Sequence, residues 1–82
     1  MPQIEVEFYG IARLRAGKAS TAVDARTVRD ALCEVARSVP TLGDVAGKLF
    51  LVSVNGERFV TDYDEPLRTG CRLLVLSADA GG

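Results

Sequence analysis

One stretch of this sequence, and only one, repeats its apolar residues at the spacing of a long α-helix. Val28, Leu32, Val35 and Val39 stand at i, i+4, i+7 and i+11, which is one face of a helix with 3.6 residues per turn. Arg29, Asp30, Glu34 and Arg37 fall elsewhere around it. Thr27 precedes the run with the chemistry of an N-cap. Asp30, three residues on, completes a capping-box variant whose short carboxylate suits the positive end of the helix dipole. Pro40 stops the helix at Ser38 or Val39. A chain with one such helix must bury its apolar face against a partner other than a second long helix.

Strands supply that partner. Ile4, Val6 and Phe8 alternate with Glu5, Glu7 and Tyr9, the period of a half-buried strand. Gly10 ends it, and residues 11–18 read as a connection with room for one helical turn, closed by Gly17. A second short strand over about Ser20 to Asp24 completes an antiparallel hairpin with a long loop. Beyond the helix, Leu42, Val45, Ala46 and Leu49 suggest a second short helical segment, interrupted by Gly43 and Gly47. Phe50 to Val54 is a third strand. Asn55-Gly56 predicts a type I′ hairpin turn, which needs positive φ at both positions. Glu57 to Val60 returns as a short edge strand. Thr61 to Glu65 is an acidic loop, and Pro66 to Gly70 is a turn anchored by Leu67. Arg72 to Ser77 is the last strand, and its nearly continuous apolar run argues for a central place in the sheet. The order β-β-α-(α)-β-β-β predicts an α+β fold in two layers, a mixed sheet of about five strands with one main helix packed on one face.

Composition excludes several functions. With 82 residues the chain makes one small domain, and 48% hydrophobic content separates it from disordered chains. A net charge of −1 with both signs scattered gives no basic face for nucleic acid or a membrane surface. No apolar run is long enough to span a bilayer. Met1-Pro2-Gln3-Ile4-Glu5 lacks the basic and apolar regions of a secretion signal, so a cytoplasmic location is the default expectation. Cys33 and Cys71 are too few and too far apart for a metal motif, and read as reduced, buried or half-buried small apolar residues. The sequence has no histidine, which removes the usual acid–base group near neutrality and the usual zinc ligand. Gly43-Asp44-Val45-Ala46-Gly47-Lys48-Leu49 fails as a phosphate-binding loop. It has three residues between its glycines where four are needed, and Leu49 where Ser or Thr would hold magnesium. Asp62, Asp64 and Glu65 read as a solvated acidic loop rather than a cation site, lacking the glycine and terminal glutamate of a calcium loop. The chain is therefore not expected to be an enzyme.

The end of the sequence is its other distinctive feature. Gly81 and Gly82 follow the small residues Ala78, Asp79 and Ala80, directly after the last strand. Residues 78–82, extended, reach roughly 16–18 Å at ~3.3–3.6 Å per residue. Such a flexible tail can enter a narrow channel in another protein and present its carboxylate there.

Phe8-Tyr9-Gly10-Ile11-Ala12-Arg13, Thr27-Val28-Arg29-Asp30-Ala31-Leu32, Val54-Asn55-Gly56-Glu57, Pro66-Leu67-x-x-Gly70 and the final Gly81-Gly82 together resemble the small subunit of molybdopterin synthase. That family (MoaD-like) is a ubiquitin-like β-grasp sulfur carrier, and the likeness runs across nearly the whole chain in the family's order. The thiamine-pathway carriers (ThiS) of the same superfamily are similar, but usually lack the Phe-x-Gly-x-Ala-Arg opening and the long first loop. One departure stands out: prolines usually precede the family's terminal segment, where this chain has Ser77-Ala78-Asp79-Ala80. The resemblance implies a β-grasp domain over residues 1–77 and a tail over residues 78–82. It implies that an E1-like adenylating enzyme (MoeB-like) uses ATP and magnesium to convert the Gly82 carboxylate into an acyl-adenylate. A sulfur donor then replaces AMP to leave a thiocarboxylate, which the large subunit of the synthase (MoaE-like) accepts. On this reading Gly82 bears the chemistry, Gly81 supplies clearance, and no cofactor is bound by this chain itself.

Strand alternation extends the expectation to a partner surface. If Ile4, Val6, Phe8, Leu73 and Val75 face the helix, then Tyr9, Leu74 and Leu76 face outward. With Phe59 of the edge strand they form an apolar patch near the root of the tail, of the kind that marks a partner site on a small monomer. Two other readings stay open: a ubiquitin-like modifier joined through Gly82 to a lysine, and a non-covalent β-grasp interaction module with an inert tail.

Overall fold

The structure is a computed structural model that describes residues 2–42 and 50–77, with the side chains of Phe50 and Ser77 left aside. In chain order the elements are β1 (Gln3–Phe8), α1 (Ile11–Ala16), β2 (Ser20–Asp24), α2 (Val28–Ser38), a 3₁₀ turn (Pro40–Leu42), β3 (Phe50–Val54), β4 (Arg58–Phe59) and β5 (Arg72–Ser77). The five strands form one sheet in the order β2-β1-β5-β3-β4. β1 and β5 run parallel at its centre, and every other pairing is antiparallel. This is the α+β β-grasp that the sequence predicts, with the last strand in the middle.

α2 lies across one face. Thr27 sits in extended conformation and its hydroxyl accepts from the Asp30 N–H at 3.2 Å, satisfying one of the helix's orphan donors. Val28, Ala31, Leu32 and Val35 are buried, as is Val39 at the C-cap. They pack with Ile4, Val6 and Phe8 of β1, Val52 and Val54 of β3, and Leu73 and Val75 of β5 in one apolar core. Leu67 anchors the 66–70 turn in the same core, and a bridge between Thr27 and Pro66 ties that turn to the start of α2.

Two differences from the expected elements have physical causes. Residues 11–16 form a helix of nearly two turns, longer than the single turn expected within this connection. Gly17 closes it in the left-handed region (φ 72°), its N–H donating to Arg13 O at 3.0 Å, as a C-terminal glycine does. Cys33 is exposed, whereas Cys71 is buried. At 100° per residue Cys33 stands roughly 140° around the helix from Val28, on the solvent side. The β3–β4 turn follows the expectation, with positive φ at Asn55 (55°) and Gly56 (73°). Its pairing begins at Val54 and Arg58, one residue wider than a two-residue loop. Leu42 closes the 3₁₀ turn as a buried residue. The remainder of the expected second helical segment (Val45, Ala46, Leu49), the 43–49 stretch and the tail with Gly81 and Gly82 lie outside the described residues.

Candidate functional site

A strand sends alternate side chains to opposite faces, so burial of one set under α2 places the other set on the outer face of the sheet. Leu73 and Val75 are fully buried, and Leu74 and Leu76 are half-buried on the opposite side. On β3, Val52 and Val54 face the core, which turns Leu51 and Ser53 outward. Leu51 pairs with Leu76, while Ser53 lies between Phe59 on one side and Leu74 on the other. Ser53 is 7% exposed although it faces away from the core, so the side chains around it form a packed layer. Leu74 reaches under the hairpin: a Cβ at Gly56 would stand 3.8 Å from its Cδ2. Leu51 and Tyr9 are each nearly half exposed and Phe59 more than half. The structure therefore brings Tyr9, Leu74 and Leu76 together with Phe59 on one face, and adds Leu51.

Tyr9 marks the end of β1. Its N–H donates to Val75 O at 3.0 Å, which holds it beside the stretch that leads to Leu76. Its hydroxyl donates to Glu7 Oε1 at 2.6 Å, and Arg72 Nη1 donates to Glu7 Oε2 at 3.1 Å. Both oxygens of Glu7 are thereby engaged, and the apolar patch gains a polar border. The bond to Glu7 favours the neutral phenol and raises the Tyr9 pKa, with desolvation and the carboxylate's charge adding in the same direction. At neutral pH Tyr9 offers an aromatic face with its hydroxyl already committed.

The ionisable groups of the 61–65 loop serve the scaffold. Arg29 Nε meets Asp64 Oδ1 at 2.9 Å, Arg58 pairs with Glu65, and the Asp64 N–H donates to Asp62 Oδ1 at 3.0 Å. The acidic loop is thus held by arginines from α2 and β4. Among the described residues no group of three or more potential ligands is placed to hold a metal ion. A cleft of about 350 Å³ lies between the hairpin and residues 65–71, beside the start of β5 and so at the far end from Ser77. Burial raises the pKa of Cys71 at its edge, which keeps that thiol protonated at neutral pH.

The sequence reading missed Leu51, although Leu51 and Ser53 alternate with Val52 and Val54. The nearly unbroken apolar run of β3 hides which residues face out. It also missed that α1 carries exposed Ile11 and Leu14.

No protein-family model matches the sequence, and no curated protein does. Solved structures do. Small archaeal modifier protein 1 (SAMP1) of Haloferax volcanii is 26% identical, with a TM-score of 0.82 over 98% of this chain and 99% of that one. A protein of Pyrococcus furiosus provisionally named molybdopterin converting factor, subunit 1, is 23% identical, with a TM-score of 0.77 over 94% of this chain and 98% of that one. A chain from the complex of subunits 1 and 2 of the molybdopterin-converting factor of Helicobacter pylori is 19% identical, with a TM-score of 0.71 over 98% and 99%. At 23% and 19% the likeness speaks for the fold alone. The structural neighbours of this chain thus include a small archaeal modifier protein and molybdopterin converting factor subunits, the second being the family that its sequence motifs resemble.

Proposed function

We propose that this protein is a sulfur carrier whose Gly82 carboxylate is activated by an E1-like enzyme and converted into a thiocarboxylate. The observation that carries the reading is the exit of the chain. β5 is the central strand, and it leads from an outward apolar face (Leu51, Leu74, Leu76, Tyr9) toward a sequence ending in Gly81-Gly82. The carboxylate is a poor electrophile. Attack on the α-phosphorus of ATP, with magnesium in the partner, expels pyrophosphate and gives the acyl-adenylate. A persulfide sulfur then adds to the acyl carbon and AMP leaves. A thiol splits the resulting acyl disulfide and releases the thiocarboxylate. Gly82 bears the reacting carbon, Gly81 removes side-chain bulk, and Tyr9, Phe59, Leu74 and Leu76, joined by Leu51, seal against the partner around the tail's root. The cofactors and catalytic side chains belong to the partners.

Sulfur delivery to a pterin precursor through a synthase large subunit is the pathway we favour. In the Helicobacter pylori structure a chain of this fold stands in a complex of subunits 1 and 2; by analogy we assign this chain a large-subunit partner, and we place the exchange in the cytoplasm. Among the described residues no helix is long and apolar enough to cross a membrane. A second reading is favoured by the 26% identity to a small archaeal modifier protein: the same activated Gly82 is passed to a lysine amine. Both readings need a free carboxylate at one position. Extending the chain by one residue after Gly82 is expected to abolish sulfur acceptance from the activating enzyme with the thermal midpoint unchanged. An extended chain that still accepts sulfur at its new terminus contradicts the proposal.

A further inference from the structure

α1 is built with its sizes reversed. Its buried positions are Ala12 and Ala16, fully and almost fully enclosed, while Ile11 is 45% and Leu14 82% exposed. Alanines let the helix backbone lie close to the core, and the two large apolar side chains, three residues apart on one face, are turned away from it. The core gains nothing from Leu14. The short helix is nonetheless held firmly: Leu14 N–H donates to Gly10 O at 3.2 Å, Gly17 caps the last turn, and the Thr41 hydroxyl donates to Arg15 O at 2.6 Å. A surface fixed in this way loses little entropy when a partner covers it.

The charge of this segment is equally one-sided. Residues 10–18 hold Arg13, Arg15 and Lys18 and no acid, in a chain whose net charge is −1. Arg13 lines a shallow recess with Glu7, Tyr9 and Ser20, but Glu7 is already bonded to Tyr9 and Arg72. Among the described residues Arg13 and Lys18 enter no ion pair. The position of α1 gives these features a use. Tyr9 is tied to Val75, α1 begins two residues later and packs against β5, so it stands at the end of the sheet from which β5 leads into residues 78–82.

We infer that α1 is a second docking element, adjoining the outer face of the sheet at Arg13, and that its occupant is an acidic protein surface with an apolar recess for Leu14, at the mouth of the channel that takes the tail. The inference rests on the carrier reading above, since it needs a partner that takes the tail. Complementary charge at such a mouth steers encounter and sets orientation, while the apolar contact slows release. Arg13 and Lys18 therefore select carboxylates around the recess.

The test uses the full chain and the E1-like adenylating enzyme of the native host, with affinity and association rate measured at low salt and at about 0.5 M salt. Arg13→Glu with Lys18→Glu is expected to weaken binding about 10–100-fold at low salt, mostly through slower association, and far less at high salt. Leu14→Glu is expected to weaken it by at least about 10-fold at both salt concentrations. Thermal midpoints stay at the parent value, because these side chains lie outside the core. If the α1 variants bind like the parent while Leu76→Asp does not, α1 is no docking element and the carrier reading stands. If Leu76→Asp also binds like the parent, neither face is the interface. Sulfur acceptance by the parent chain, lost on extension after Gly82, then shows that the carrier reading survives without the inference. No acceptance by either chain shows that the reading has failed too. Two further arms test other occupants. Charge-reversible binding to phosphatidylserine vesicles without effect on enzyme binding assigns the face to a membrane. A dimer of the parent chain that Leu14→Glu converts to a monomer assigns it to a second copy. Either result overturns the inference.

Discussion

Leu76 and Val75 are neighbours in sequence and opposites in the sheet, so an aspartate at each separates binding from folding. Leu76 is half-buried on the outer face, against Leu51 of β3. Leu76→Asp costs the free domain one cross-strand apolar pair, about 0.2–1 kcal/mol, and some strand preference, up to about 1 kcal/mol. A domain of 82 residues has roughly 4–12 kcal/mol of stability at ~0.05–0.15 kcal/mol per residue. A loss of at most about 2 kcal/mol leaves it folded, with a thermal midpoint lower by no more than about 16 °C. In a complex that covers the patch, the same carboxylate loses water without gaining a partner. That penalty of about 2–4 kcal/mol lowers affinity about 30–1000-fold. Val75 is fully enclosed, so Val75→Asp puts an unpaired charge in the core, costing several kcal/mol, and is expected to unfold the chain. Circular dichroism melts of both variants, with titration of the folded one against the activating enzyme, decide the matter. Unfolding by Leu76→Asp but not by Val75→Asp refutes the register, since a slip of one residue exchanges the faces. Wild-type affinity in a folded Leu76→Asp variant refutes the outer face as the interface.

Other predictions follow from the core and the charged loop. Leu32, 2% exposed in the centre of the α2 face, should cost roughly 2–5 kcal/mol when cut to alanine; a loss under about half a kcal/mol in urea unfolding contradicts its place in the core. Arg29 and Arg58 hold the pKa values of Asp64 and Glu65 below their ordinary range, each first through the hydrogen bond. Both groups therefore bind more protons in the unfolded chain. Their contribution is fully present above the ordinary carboxylate pKa of about 4 and falls away as pH drops through the depressed folded values. Arg58→Gln should flatten the acid limb of stability against pH, and an unchanged limb contradicts the assignment. Thiol labelling of the native protein should modify Cys33 quickly and Cys71 only on opening; equal rates contradict the burial of Cys71.

Much of this fold is legible in the sequence because its signals are local and strong. Thr27, the Val28–Val39 spacing, Asn55-Gly56 and the alternation from Ile4 to Phe8 each depend on a few adjacent residues, and each matches the structure. α1 is hard to read for a physical reason. Six residues give less than two turns, and the buried ones are alanines while the large apolar ones point to solvent, so hydrophobic periodicity misleads. Cys33 illustrates a different error: residue type suggests burial, but its angular position on α2 puts it in water. The outer face is legible in β5 and obscured in β3, where both faces are largely apolar and only the pairing of Leu51 with Leu76 reveals which side chains join the patch.

The proposed chemistry rests on Gly82, and intact-mass analysis of the protein isolated from its native host tests it most directly. A carrier is found in part with one oxygen of its terminal carboxyl group replaced by sulfur, and that replacement maps to Gly82. A chain found only with its ordinary carboxylate, or only in isopeptide linkage to lysine, contradicts the account.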